Sequence, residues 1–426
     1  MNKGVLSIHN KYAFSHLEEF EFIWELEGDG QMIDQGRLPD MAIDPYTSET
    51  VTIDYNLDPE PGVEYFLNIK ARLKFGWNML EAGAELAAEQ LKLPVFVAAE
   101  QMDVTVFPKL SIAETEQVLT IKGEDFAMGF DKTAGVMTRF AKGETEFLKI
   151  GLVPNFWRAP TDNDFGNGLH KRSSIWRNAG KSRKVTKATV TQKTTYHVEV
   201  SFLFDLVNDE GNKIADYKSV YSVFGSGDVV VRNHFWMADD NLPEIVRMGM
   251  NLVMPYEFDQ MTWLGRGPNE SYQDRKTSAF VGLYSGSVAD QFWAYLRPQE
   301  NGNKTDVRWL AVTSEAGNGI FFQGMPLLEV SAHHNILEDF ESMERPDGRI
   351  IDGVRVKNDH TIDVKPRNLT SVNIDYKQMG VGGDNSWGAL THEQYRLTDK
   401  EYKFSFRMKA LTAGENPTDL ARQKLP

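Results

Sequence analysis

The segment Val198-Glu199-Val200-Ser201-Phe202-Leu203-Phe204-Asp205-Leu206 places an apolar residue at every second position. The turn Asn208-Asp209-Glu210-Gly211-Asn212 then separates it from a second run starting at Lys213. Period-two alternation buries one face of a strand and wets the other, as in antiparallel sheets. The same pattern recurs outward in both directions. Phe20, Phe22, Trp24 and Leu26 alternate with Glu21, Ile23 and Glu25. Leu67, Ile69, Ala71, Leu73 and Phe75 alternate with polar neighbours, and so do Tyr402, Phe404, Phe406, Met408 and Ala410. The chain therefore reads as all-β. Helical signals are confined to a possible turn at residues 271–275, a short helix at 173–180 and the alanine-rich stretch 81–91, where propensity favours helix.

A linker falls near Pro108, after residues 95–106 that read as a closing strand pair. Residues 1–108 fit a small sandwich of immunoglobulin type, without the cysteine and tryptophan signature of antibody domains. Residues 109–414 read as one large β-sandwich. Residues 415–426 read as a polar, weakly helical tail expected to be disordered. Residues 1–10 read as a strand and lack the apolar region of a signal peptide. A chain opening inside a strand is expected to be a piece of something longer.

Composition narrows the partners. The 61 acidic residues exceed the 46 basic ones, giving a formal net charge of −15. This argues against nucleic acid or an anionic membrane as partner. No stretch has the length of a membrane span. The absence of cysteine excludes disulfides, thiol nucleophiles and zinc–thiolate sites, and leaves the compartment open.

Four polar clusters stand out. Gly382-Gly383-Asp384-Asn385-Ser386-Trp387-Gly388 holds one indole in a glycine-rich loop. An exposed indole offers an apolar face with an N–H at its edge, matching the C–H face and hydroxyl rim of a sugar. Asp384 and Asn385 either hydrogen-bond those hydroxyls or brace the loop. On the loop alone, burial in a core is the simpler reading, since the chain has nine tryptophans. Phe156-Trp157-Arg158-Ala159-Pro160-Thr161-Asp162-Asn163-Asp164-Phe165-Gly166-Asn167-Gly168 reads as tight turns. Its Asp-x-Asp spacing hints at calcium, but the other ligands of a calcium loop are missing. Residues 263–275 read as a surface ion-pair cluster around Glu270, Asp274 and Arg275. Arg297-Pro298-Gln299-Glu300-Asn301-Gly302 is the fourth. His333 and His334 are adjacent, so on a strand they point to opposite faces and do not chelate together. No metal site is assigned.

These clusters, in this order, resemble the C-terminal portion of the large β-galactosidases of glycoside hydrolase family 2. The resemblance runs over essentially the whole chain, beginning at Asn10-Lys11-Tyr12-Ala13-Phe14. It implies an immunoglobulin-like domain followed by a galactose-mutarotase-like β-supersandwich. It also implies strand, not helix, at 81–91. The family's two catalytic glutamates sit on a (β/α)₈ barrel of about 250 residues, for which this chain shows no strand–helix alternation. No catalytic residue is assigned here, and the family's magnesium and sodium sites belong with the barrel.

By the same resemblance, Trp387 is exposed and forms a platform for the leaving-group part of a β-galactoside. Gly166 opens a mobile loop beside it. The partners implied are the sugar and the barrel, in a homo-oligomer when intact. The parent is either cytoplasmic or periplasmic. Two other readings remain: a separately encoded small subunit, or a stand-alone carbohydrate-binding or mutarotase-like module. The last would use Glu300 with His333 or His334 as acid and base. An apolar patch around Trp387 and Phe165 is expected where the barrel docks.

Overall fold

A computed structural model of the chain describes residues 4–341, 349–351, 354–356, 360–385 and 387–425. These separate into two compact units. One runs up to Met102 and takes in the last residues from Thr418; the other is Asp103–Pro417. Among the described residues no helix is long and apolar enough to cross a membrane.

The first unit has six strands: β1 (Gly4–His9), β2 (Phe20–Gly28), β3 (Gln31–Arg37), β4 (Ser48–Ile53), β5 (Tyr65–Leu73) and β6 (Glu85–Lys92). They form a two-stranded sheet, β1-β4, and a four-stranded sheet, β3-β2-β5-β6. Phe20, Phe22, Trp24 and Leu26 are buried, as their alternation requires, and share one core with Tyr65, Leu67 and Leu73. β6 is a strand despite its alanines, because its backbone pairs with β5 from Phe66↔Lys92 to Arg72↔Glu85. Local propensity yields there to tertiary pairing. Phe75 lies beyond the end of β5 and is 74% exposed, so the alternation overran the strand.

Two sequence expectations need correction. Residues 95–106 form no strand pair. They make isolated parallel bridges, Pro61↔Val97 and Gln101↔Lys424, and end in a 3-10 turn at Val104–Val106. The tail is ordered: Pro417–Ala421 is helical, Met102 N donates to Lys424 O at 2.8 Å, and Arg422 Nε lies 3.1 Å from Asp29. Leu420 and Leu425 are buried. The polar composition of the tail concealed these two apolar anchors.

The second unit opens with a five-stranded meander: β7 (Ser111–Glu114), β8 (Val118–Lys122), β9 (Phe126–Asp131), β10 (Val136–Lys142) and β11 (Thr145–Glu146). A twelve-stranded sheet follows. Its first strands are β12 (Ile150–Asn155), β13 (Lys184–Thr194), β14 (His197–Val207), β15 (Lys213–Phe224), β16 (Asp228–Met237) and β17 (Arg247–Met254). Then come β18 (Gln260–Gly267), β19 (Phe280–Ser287), β20 (Lys304–Thr313) and the long β21 (Gly319–His333). A separate hairpin, β22 (Arg349–Ile351) and β23 (Val354–Val356), precedes β24 (Thr370–Gln378) and β25 (Glu401–Leu411). The main path is β12-β17-β24-β21-β25-β16-β15-β14-β13.

The two sheets meet over one large core. Val198, Val200, Phe202, Phe204 and Leu206 of β14 point into it, with Leu119, Met128, Phe130 and Phe140 from the meander. Phe130 packs edge-on against Tyr221 at 5.3 Å and tilts against Phe202 at 6.3 Å, joining the sheets. The other face of β25 is not wet throughout. Arg407 is buried, with Nε 2.7 Å from the buried Asp228.

Phe130→Ala removes this bridge and leaves a cavity; the expected cost is about 3–5 kcal/mol. Urea unfolding followed by tryptophan fluorescence reads it as a lower midpoint for the second unit, with the first unit's transition unmoved.

Candidate functional site

The chain leaves β12 through Phe156 and Trp157 and enters a turn that places Arg158 fully inside the protein. Its guanidinium binds Asp164 in a fork, Nε to Oδ2 at 3.1 Å and Nη2 to Oδ1 at 2.9 Å. It also donates to the carbonyls of Met379 and Gly380, the latter at 2.9 Å. Burial opposes the charge, but Asp164, with Glu300 and Tyr272 adding to it, holds the Arg158 pKa above its ordinary value. Asp164 is also the third residue of a capping box. Thr161 N donates to Asp164 Oδ2 at 3.0 Å, and Asp164 N donates to the Thr161 hydroxyl at 3.2 Å, starting helix α1 (Asp162–Gly166). The carboxylate that hinted at calcium is thus committed to an arginine and a helix terminus.

Three more contacts hold the stem of the tryptophan loop. Asn163 Nδ2 donates to Val381 O at 3.0 Å. Asp274 accepts from Val381 N at 3.1 Å and from Gly382 N at 2.6 Å. The Thr391 hydroxyl donates to Gly380 O and Gly382 O. Glycine at 380 leaves the Asp274 carboxyl in place, since a Cβ there would lie 2.6 Å from it. Asp274 is therefore a backbone anchor rather than a member of a surface ion-pair cluster. Glu270 and Arg275 do form that pair.

Above this stem Trp387 is 94% exposed. Asn385 Oδ1 accepts from Trp387 N at 2.8 Å, and Asp384 Oδ1 lies 2.8 Å from His392 Nε2. Both side chains brace the loop. Ser386 lies outside the described residues. A Cβ on Gly388, which has φ +106°, would sit 3.0 Å from Gly166 O, so the loop lies against the segment from Gly166. That segment is two short helices, α1 and α2 (Leu169–Arg172), joined through Gly168 at φ +76°. Leu390 beside the loop is 41% exposed, while Phe165 is half-buried against the His170 ring.

The four sequence clusters meet. A cleft of about 240 Å³ takes Asn163 from one, Tyr272 and Arg275 from another, Gln299 and Glu300 from the third and Val381, the residue just before the tryptophan loop, whose Gly382 is tied to Asp274. Glu300 N donates to Ala159 O, and Gly302 N donates to Glu270 Oε2 at 2.7 Å.

Sequence reading missed a second polar assembly. Across three neighbouring strands, Asn251 faces Asn373, which faces Ser331. One row along, Gly249 faces Asp375, which faces Glu329. The row on the other side sets Val253, Ser371 and His333 together. Between these positions Met250, Leu252, Val372, Ile374, Val330 and Ala332 point into the core. Side chains two apart share a face, so the sheet carries one apolar and one polar face. The signal was present as Arg247 and Asn251 in β17, Glu329, Ser331 and His333 in β21 and Ser371, Asn373 and Asp375 in β24, but each run is too short to stand out alone.

This polar face is buried and charged. Arg247 Nη2 lies 2.5 Å from Glu300 Oε1, and its Nε lies 3.2 Å from Asp375 Oδ2. A Cβ on Gly249 would strike the Asp375 carboxylate at 1.7 Å, so only glycine leaves that side chain room. Burial raises Asp375 well above the usual carboxylate range, opposed by Arg247. Burial also pushes Glu329 up to about 7, against bonds from Gln273, Asn303 and Gln378. It pulls His333 down to about 4, although His333 Nε2 lies 3.0 Å from Asn301 O. His334 points elsewhere, with Nδ1 2.8 Å from Leu369 O. A cavity of about 380 Å³ lies against this face, and both Glu300 and His333 line it. The pairing that the sequence could not bring together is thus brought to one cavity.

Comparison with known proteins follows this division. Residues 122–408 match the family described as Beta galactosidase small chain, and residues 6–94 match Beta-galactosidase, domain 4. A β-galactosidase of Priestia megaterium is 35% identical over 96% of this chain and 38% of its own length. One of Pseudoalteromonas haloplanktis is 27% identical over 95% of this chain and 38% of its own length. Among solved structures, a galactose mutarotase related enzyme from Lactobacillus acidophilus gives a TM-score of 0.37 at 10% identity, covering 72% of this chain and 99% of that one. The family and sequence matches put the chain in the class of glycoside hydrolases. It belongs to the β-galactosidase family, and it spans 38% of the length of the two β-galactosidases compared.

Two measurements test this geometry. Asp274→Ala strips the acceptor from two backbone amides. Amide exchange at 381 and 382 should rise at least about tenfold, the equivalent of 1.4 kcal/mol, with little change in global unfolding. Glu329 binds its proton more tightly folded than unfolded, so its contribution is present at low pH and lost as pH rises through about 7. His333 has the opposite slope, with its contribution lost as pH falls from its unfolded value toward about 4. Comparison with Glu329→Gln cancels the histidine. From about pH 5 to about pH 8 the wild-type urea midpoint should fall relative to Glu329→Gln.

Proposed function

We propose that this chain is the noncatalytic C-terminal region of a retaining β-galactosidase. It presents Trp387 to a terminal β-D-galactoside such as lactose, bound on a catalytic (β/α)₈ barrel outside the chain. The observation that carries this reading is the indole itself: 94% exposed, on a stem held by Arg158, Asn163, Asp274 and Thr391. An apolar ring in water is unfavourable unless another surface completes it, and a pyranose stacked on it does so. The segment from Gly166 flanks the loop and shifts with it as substrate settles, while Asp384 and Asn385 set the loop's shape.

Cleavage with retention takes two carboxyl groups flanking the glycosidic bond. Three buried acids near the site are engaged within the protein: Glu300 with Arg247, Asp164 with Arg158 and Glu329 with Asn303. On this reading the catalytic pair, and the magnesium and sodium ions beside it, belong to the barrel, and the intact enzyme is a homo-oligomer. A separately encoded small subunit is the second reading. Residues 6–94 weigh against it, because they match a further β-galactosidase domain ahead of the small-chain region.

The chain alone should release no 2-nitrophenol from 2-nitrophenyl β-galactoside above the buffer rate; turnover by the isolated chain would overturn the proposal. Joined to the preceding region of the Priestia megaterium relative, Trp387→Ala should lower kcat/KM about tenfold, the scale of one lost stacking contact.

A further inference from the structure

The cavity against the polar face of the twelve-stranded sheet is a second place where this chain meets a ligand. We propose that it binds one neutral polyhydroxy ring, a monosaccharide, at a site separate from Trp387.

Size is the first argument. About 380 Å³ falls at the small end of pockets that hold organic ligands. The second is the distribution of polarity. On the sheet side the lining presents Asn155, Asn251, Asn373, Ser331 and Ser371, whose amides and hydroxyls can both donate and accept. They are already fixed in place: Asn251 Nδ2 donates to Ser371 Oγ at 3.0 Å and to Asn373 Oδ1 at 3.0 Å, and Asn373 Nδ2 donates to Ser331 Oγ at 3.0 Å. Outside the sheet the lining also includes the apolar Leu337 and Phe340. A pyranose, with hydroxyls at its rim and C–H bonds on its faces, fits between such walls.

The third argument is charge. The charged residues of the lining are neutralised within the protein: Arg247 by Glu300, Arg177 by Glu341 and Lys181 by Glu338. Among the described residues of the lining no cation or anion is left over to select an ionic ligand, which favours a neutral one. The fourth is an uncommitted acceptor. His333 lines the cavity and is buried; its Nε2 is engaged with Asn301 O, and its Nδ1 has no hydrogen-bond partner. A buried polar atom left unpaired is costly, and a ligand hydroxyl would satisfy it. The lining's exposed members, Ile150 and Lys181, mark where the cavity meets solvent.

The test is titration calorimetry of the chain with D-galactose and D-glucose, up to about 50 mM, since a few hydrogen bonds give millimolar dissociation constants. Saturable binding of at least one sugar is expected. Trp387→Ala should leave it within about a factor of two, and Asn373→Ala should weaken it about tenfold or more. Ser371→Leu fills the cavity while Asn251 keeps its bond to Asn373, and should abolish binding. In the unmodified protein the bound sugar should slow amide exchange in β17, β21 and β24, a readout independent of whether either variant folds. No binding of either sugar, binding lost in Trp387→Ala, or binding without protection of those three strands would overturn the proposal. Binding lost in Trp387→Ala would move the sugar to the tryptophan platform; the other outcomes leave that platform untouched, and its own test is kcat/KM in the joined enzyme.

Discussion

A guanidinium with no exposed surface must be neutralised and have its donors filled, and the way Arg158 meets that demand organises the tryptophan loop. Half of its bonds go to Asp164, six residues away on the same turn. The rest go to carbonyls at 379 and 380, more than two hundred residues later. An ion pair buried this way contributes little net stability compared with a well-packed apolar pair. Its consequence is specificity of position: the strand end at 378 can leave the sheet in one direction only. Asp274, arriving from a third segment, then fixes the next two amides. The loop is held at its base by charge.

The two polar assemblies of the second unit solve different problems. The loop needs an apolar group in water, which is unstable unless the backbone beneath it is pinned. The sheet face needs polar groups out of water, which is unstable unless they bond one another. In the first case the charges sit below the functional group, Arg158 and Asp164 wholly buried and Asp274 partly so. In the second they ring the cavity and cancel in pairs, leaving amides and hydroxyls at its floor. Both devices use glycine for the same reason. Gly380 leaves space for the Asp274 carboxyl, and Gly249 leaves space for that of Asp375.

Strands were legible because alternation is a local property. The run from Val198 to Leu206 announces its buried face without knowledge of its partners, and the structure buries it there. Residues 85–92 were not legible locally, since alanine and glutamate favour helix; only the partner strand makes them extended. Asp274 was misjudged, and the bond between Arg158 and Asp164 went unread, for a related reason. A carboxylate amid glycine and asparagine looks like a turn or a surface pair when its backbone partner lies far along the chain. Trp387 shows the converse limit: nothing local distinguishes an indole held in water from one in a core. The polar rows of β17, β21 and β24 became a face only when three separate segments lay side by side.

Exposure of the indole has an energetic consequence that bears on the whole second unit. Leaving a large aromatic side chain in water forgoes about 1.5–3 kcal/mol relative to burying it. A loop of glycines could fold Trp387 back over the half-buried Phe165 and recover part of that. The clamp at 379–382 and the Asn385 bond to the Trp387 amide hold the ring away from such a collapse. The stem is thus a device that keeps an unfavourable surface available. Its cost is met by the core beneath, where Trp157, Leu169, Val246 and Met379 form a small cluster of their own under the Arg158 turn. Stability made in that cluster is what permits the ring above it to remain unsatisfied until a second surface arrives.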